Sequence, residues 1–162
     1  MFINYLLLPT IPNEVLESLE TIRAKPYATG TLYDNILRFK LKDVNPELIE
    51  YLQTIFPFPI SCRYQFVFRG LPVHIDNDRE YAINYLLDTG GKNVVTNIHN
   101  SNLRIIESVS IEPFKWHSIQ TSNLHSVDNI DPDTTRIAIS VGPAPQTISS
   151  EELLAFIKSH IV

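Results

Sequence analysis

At 162 residues, with 44% hydrophobic content and no apolar run approaching 18 residues, the chain has the size of one globular domain and no membrane-spanning helix. Its 13 Lys and Arg stand against 18 Asp and Glu, for a net charge of -5 without long like-charge blocks, which argues against a surface that tracks nucleic-acid phosphates. The single cysteine, Cys62, excludes an internal disulfide, suits a reducing cytoplasm and reads as core filling.

The opening Met-Phe-Ile-Asn-Tyr-Leu-Leu-Leu-Pro lacks the basic region and small-residue cleavage site of a secretory signal and reads as a first strand. From Pro12 to Arg23, Val15, Leu16, Leu19 and Ile22 recur at helical spacing, with Glu14 and Glu17 placed early, where the helix dipole favours negative charge. Tyr27 to Gly30 reads as a turn. From Ile36 to Leu41, apolar Leu37, Phe39 and Leu41 alternate with Arg38 and Lys40, as in a half-buried strand. Pro46 suits the first position of a second helix capped by Asn45, whose stripe of Leu48, Ile49, Leu52, Ile55 and Phe56 is ended by Pro57. Both apolar stripes need covering, so the two helices are expected on the outer face of a sheet.

The pattern changes from Cys62 onward. Short strands are expected near residues 62–69 and 73–76, then at 81–88, 93–99, 103–111, 114–120, 124–129 and 135–141. Gly90 and Gly91 accept the positive φ of a tight turn and are read as a hairpin. Eight short antiparallel strands after helices predict a mainly β chain with flanking helices, folded as a double-stranded β-helix, the jelly-roll or cupin-like barrel. Residues 1–60 would be its support and 61–141 its core. Gly142 to Pro145 is a stiff linker, and Ser149 with Glu152 forms a capping box for a last helix over 149–160, buried through Leu153, Leu154, Phe156 and Ile157.

One constellation reads as chemistry rather than packing. His74 and Asp76 stand at i and i+2, so an extended strand sends both from the same face. His125 lies 49 positions after Asp76, and Arg136 lies 11 beyond His125. Two imidazoles and one carboxylate on one triangular face, with other positions open, form the arrangement of non-haem Fe(II) oxygenases. His117 in its predicted strand is the rival for the second histidine, whereas His99 and His160 read as incidental. If Ile137, Ile139 and Val141 pack on the helices, Arg136 points into the barrel as a buried cation in need of an anion.

His74-Ile-Asp76-Asn-Asp-Arg79, Ala82-Ile-Asn-Tyr85-Leu-Leu-Asp88, Trp116, His125-Ser-Val and Arg136-Ile-Ala-Ile-Ser140 together resemble the Fe(II)- and 2-oxoglutarate-dependent oxygenases, nearest the prolyl-hydroxylase-like branch. The resemblance implies that His74, Asp76 and His125 bind iron, that O2 is the oxidant, and that Arg136 grips the far carboxylate of 2-oxoglutarate. It also implies hydroxylation of a peptidyl residue such as proline, or of a small metabolite. Some members carry an Arg-x-Ser pair where this chain has Ala138, so Tyr85 is the candidate for the missing hydroxyl; a purely core role for Tyr85 is the alternative, and Asn84 receives no role. Arg79 is expected to order the loop after the metal strand or to meet substrate, and Trp116 to pack. A cupin-like module that holds metal or serves structure without turnover is the reading from another class, because one fold hosts many chemistries.

Overall fold

The computed structural model describes residues 1–28 and 39–162, and within them ten strands and three helices. The strands are β1 (Ile3–Tyr5), β2 (Phe39–Asp43), β3 (Ile60–Phe68), β4 (Leu71–His74), β5 (Ala82–Asp88), β6 (Val95–His99), β7 (Ile105–Val109), β8 (Trp116–Ile119), β9 (His125–Asp128) and β10 (Thr135–Pro143). The helices are α1 (Leu19–Ala24), α2 (Pro46–Ile55) and α3 (Ser150–His160). A six-stranded sheet runs β1-β8-β5-β10-β3-β2, a four-stranded sheet runs β4-β9-β6-β7, and all pairings are antiparallel. The eight strands expected after Cys62 are β3 to β10. No helix among the described residues is long and apolar enough to cross a membrane.

The period of two decides what each strand does. Along β10, Ile137, Ile139 and Val141 enter the main core with Ile22 of α1, Leu48 and Leu52 of α2, and Leu153 and Ile157 of α3. The helices therefore cover the outer face of the larger sheet, as their apolar stripes demand. On the inner face, Leu86 and Ala138 meet Ile3, Ile98, Ile111 and Ile119 in a second cluster between the sheets.

Local signals explain where the elements begin. Pro46 starts α2, but Asn45 turns its amide to Glu47 Oε2 (3.1 Å) and makes no side-chain cap. Ser149 caps α3 reciprocally with Glu152, as the motif requires. The helix expected over Pro12 to Arg23 is much shorter. Its first residues form turns, and α1 begins only after Ser18, which is extended and whose hydroxyl accepts from Thr21 N–H. Glu17 is drawn away from the helix to Tyr64 Oη (2.6 Å) and Lys25 Nζ (2.8 Å), so tertiary contacts override the apolar periodicity there.

Two further expectations change. The Gly90-Gly91 turn is not a hairpin: both edges of β5 are taken by β8 and β10, so the turn carries the chain to β6 in the other sheet. The strand expected from Ile36 is seen from Phe39 onward. Residues 36–38, and the part of the expected 27–30 turn at 29–30, lie outside the described residues.

Candidate metal centre and anion site

His74 ends β4, and His125, the first residue of β9, sits directly across from it in the antiparallel register. Each ring places Nδ1 against a backbone carbonyl two residues upstream: His74 on Pro72 O at 2.7 Å and His125 on Asn123 O at 2.9 Å. A carbonyl can only accept, so each Nδ1 carries a proton and each Nε2 is left to face the triad, where it donates to Asp76 when protonated and offers its lone pair to a metal when not. Asp76 meets both Nε2 atoms, with Oδ1 at 3.2 Å from His74 Nε2 and 3.5 Å from His125 Nε2. One ligand atom from each of the three lies within 4.8 Å of the others.

The strand reading of His74-x-Asp76 needs one adjustment. β4 stops at His74, and Asp76 is held by its own N–H, which donates to Thr121 O at 3.1 Å. The second carboxylate oxygen accepts from Arg79 Nε at 2.7 Å. Arg79 also donates to Ser140 Oγ (3.0 Å), and its carbonyl accepts from Thr121 Oγ (3.0 Å), so it orders the loop after β4.

Burial by itself favours a protonated Asp76, but hydrogen bonds from His125 and His74, with the Arg79 charge, outweigh it and hold the carboxyl well below its ordinary range. Burial also opposes the charged form of His74. Here too the partners win, Asp76 and the Pro72 carbonyl pushing its pKa upward.

The triad opens into a cavity of about 700 Å³ between the sheets, and Arg136 lines the same space. Its side chain is 6% exposed, and Nη2 donates to Thr96 Oγ at 3.3 Å across the barrel. Burial pushes its pKa down to about 10, partly offset by Tyr5. Among the described residues no carboxylate forms an ion pair with it. The sequence-based expectation for Arg136 therefore matches its placement: inward, buried and short of an anion.

Tyr85 goes elsewhere, and its reading as a co-substrate contact is corrected. It pairs with Ile139 on the helix face of β5, with its ring 5.0 Å from that of Trp116, inside the main core. Asn84, one position earlier, pairs with Ser140 and lines the cavity. The alternation was readable, since Asn84 is the only polar residue between Ala82 and Leu87 and marks the inner face.

Among the histidines, His117 lies on β8 in the larger sheet, is 1% exposed and lines the cavity apart from the triad. His99 contacts Ser126 Oγ at 2.9 Å, and His160 contacts Phe156 O at 2.8 Å. Trp116 donates to Pro9 O at 2.8 Å and packs in the core. The contributions of Thr96, Ser140 and Asn84 to the cavity depend on register, and nothing in their spacing from the triad announces it.

No family model and no curated protein matches the chain. Among solved structures, a prolyl hydroxylase from Trichoplax adhaerens, in complex with a hypoxia inducible factor oxygen degradation domain peptide fragment, aligns over 85% of this chain and 77% of its own, with a TM-score of 0.51 and 18% identity. The oxalate decarboxylase of Lactobacillus farciminis, in a formate complex, aligns over 83% of this chain with a TM-score of 0.45 and 13% identity. This chain spans 36% of the length of that decarboxylase. The fold is a double-stranded β-helix. Within it, His74, Asp76 and His125 form a candidate metal site.

Proposed function

We propose that this protein is a non-haem Fe(II)- and 2-oxoglutarate-dependent oxygenase that hydroxylates a peptidyl residue such as proline, or a small metabolite. The observation that carries the reading is the placement of Arg136 in the same cavity as the triad, buried and without a carboxylate partner among the described residues. A metal site alone fits many barrels. A metal site facing a buried guanidinium fits a ligand that binds the metal at one end and carries a carboxylate at the other.

The spacing supports this. Thr96, which Arg136 touches, is two residues along β6 from Ile98, the register partner of His125. Two strand residues span roughly 7 Å, which suits a short diacid lying between the two sites.

His74, Asp76 and His125 would hold the iron, which supplies the oxygen chemistry when bound. The chain's own contributions are to fix both imidazole tautomers, to keep Asp76 ionised through Arg79, and to neutralise the diacid's free carboxylate with Arg136. Substrate would reach the metal through the cavity into which the triad opens. A peptide is the first substrate class to try, since the Trichoplax adhaerens enzyme of this fold was seen with a peptide fragment.

Anaerobic addition of Fe(II) and 2-oxoglutarate tests the reading. The expected result is the visible charge-transfer band of an iron-chelated keto acid, followed by succinate formation when O2 is admitted. Metal binding with neither the band nor 2-oxoglutarate affinity would move the assignment to a metal-binding module without turnover.

A further inference from the structure

A row of polar side chains crosses the inner face of the larger sheet beside the triad. Register pairs Tyr5 with His117, His117 with Asn84, and Asn84 with Ser140, so the four share one face. The outer two are engaged: Tyr5 Oη accepts from Glu112 N–H and Ser140 Oγ from Arg79 Nη1, both at 3.0 Å. The same Arg79 guanidinium holds Asp76 through Nε, which sets the row at the metal end of the cavity.

The middle two are not engaged with each other or with the wall. Asn84 and His117 are 6% and 1% exposed, and both line the cavity. Asn84 Oδ1 is buried with no hydrogen-bond partner. His117 spends its proton on a long Nδ1 contact to Lys115 O, 3.5 Å, and burial keeps the ring uncharged, so Nε2 is a lone pair. Among the described residues no hydrogen bond reaches that nitrogen. Two neighbouring acceptors thus stand unsatisfied in a buried wall, a state that folded proteins avoid unless something in the cavity supplies the donors.

The diacid of the proposed reaction cannot supply them. Two ionised carboxylates and a keto group carry acceptors only, and two facing lone pairs would repel them. The donors must come from the other reactant. A peptidyl proline brings none of its own, since its ring is hydrocarbon and its nitrogen has no hydrogen.

We propose that Asn84 and His117 are substrate-specificity residues, which together accept hydrogen bonds from an N–H or O–H group of the substrate as it lies at the metal. This rests on the oxygenase reading, and within it favours a hydroxyl- or amide-bearing substrate over a prolyl one.

The full chain is loaded anaerobically with Fe(II) and 2-oxoglutarate, whose charge-transfer band reports an intact site, and is then given O2 and matched probes. Threonine against valine, and asparagine against leucine, are close in shape and differ in the donor. Each is offered as the central residue of a blocked pentapeptide and as its N-acetyl amide, beside the matching proline pentapeptide. Succinate release above the probe-free rate is the readout. The donor member of each pair should be used about 10- to 100-fold more efficiently, the factor that pairing a buried acceptor commands, and the proline peptide should behave like the donor-free probes. Response to the pentapeptides alone marks a peptidyl substrate, and response to the N-acetyl amides a small one. Asn84→Leu and His117→Leu should each shrink the donor preference towards one while keeping the band. The preference is a ratio taken within one protein, so a partly destabilised variant still reports it. Equal use of both members, no response to any probe, a preference for proline, or a preference that survives both substitutions would overturn the role. Absence of the band in the wild type would overturn the oxygenase reading itself.

Discussion

His74 and His125 face each other across two antiparallel strands, their ring centroids 4.2 Å apart and both Nε2 atoms turned to the same oxygen of Asp76. The pairing fixes the donor set before any metal arrives. Each ring is pinned from behind by a backbone carbonyl, so the Nε2 atoms cannot rotate away without losing a hydrogen bond.

Replacing Asp76 or His125 by Ala removes one of three protein donors and is expected to abolish Fe(II) binding or weaken it severely. Arg79→Ala removes only the partner of the other Asp76 oxygen, and supporting residues of this kind contribute about 10- to 100-fold in metal affinity. His117→Ala should leave metal affinity unchanged. Anaerobic calorimetric titration ranks the four variants, and a larger loss at His117 than at His125 would show that the distal ligand is misassigned.

Arg136→Ala is expected to cost about 3 to 5 kcal/mol of 2-oxoglutarate binding, because a charge-assisted fork is lost and a buried anion is left unpaired. That is roughly two to three and a half decades in affinity. Arg136→Lys should restore part of it, since an ammonium keeps the charge without the planar fork. Fe(II) affinity measured without 2-oxoglutarate should not move. Equal 2-oxoglutarate affinity in all three proteins would remove Arg136 from the site.

Gly90 links the inter-sheet turn to the same guanidinium. Its φ is +81°, and a Cβ built there would lie 2.9 Å from Arg136 N and 3.2 Å from its Cα. Gly90→Ala should destabilise the fold by about 1 to 3 kcal/mol from the left-handed backbone, and it should also loosen 2-oxoglutarate binding by displacing Arg136. Denaturant titration together with ligand titration checks both effects. Full stability with unchanged affinity would mean that the turn relaxes away from β10.

His117 makes stability depend on pH in a defined direction. Its pKa is pushed from the ordinary 6.5 down to about 3, first by burial and then by the Arg136 charge. Between those values the unfolded chain holds the extra proton, so His117's contribution is fully present above 6.5 and is lost as pH falls towards 3, by up to about 1.4 kcal/mol per pH unit. The raised pKa of His74 acts in the opposite sense, and the lowered pKa of Asp76 matters only around and below the ordinary carboxylate range. Both groups remain in His117→Leu, so the difference between the wild-type and variant curves isolates His117. The variant should lose less stability than wild type between neutral pH and about pH 4; parallel unfolding curves would show that the ring charges without penalty in the fold.

Periodicity and punctuation in the sequence determined the strand count after Cys62, the helices that start at Pro46 and after Ser149, and the inward turn of Arg136. These are local properties: side chains alternate along a strand, and caps act within four residues. The order of His74, Asp76, His125 and Arg136 was equally legible, because the chemistry of a metal site restricts residue types so strongly. Tertiary structure alone decided the rest. Glu17 left the first helix for Lys25 and for Tyr64, and Tyr64 stands 47 positions away, beyond any window on the sequence. The Gly90-Gly91 turn crossed between sheets because β8 and β10 had already taken both edges of β5. Tyr85, expected at the co-substrate, packs instead against Trp116 in the helix-side core, and Asn84, given no role, faces the cavity; alternation puts the two on opposite faces of β5, and the neighbouring core residues hold Tyr85 on the outer one.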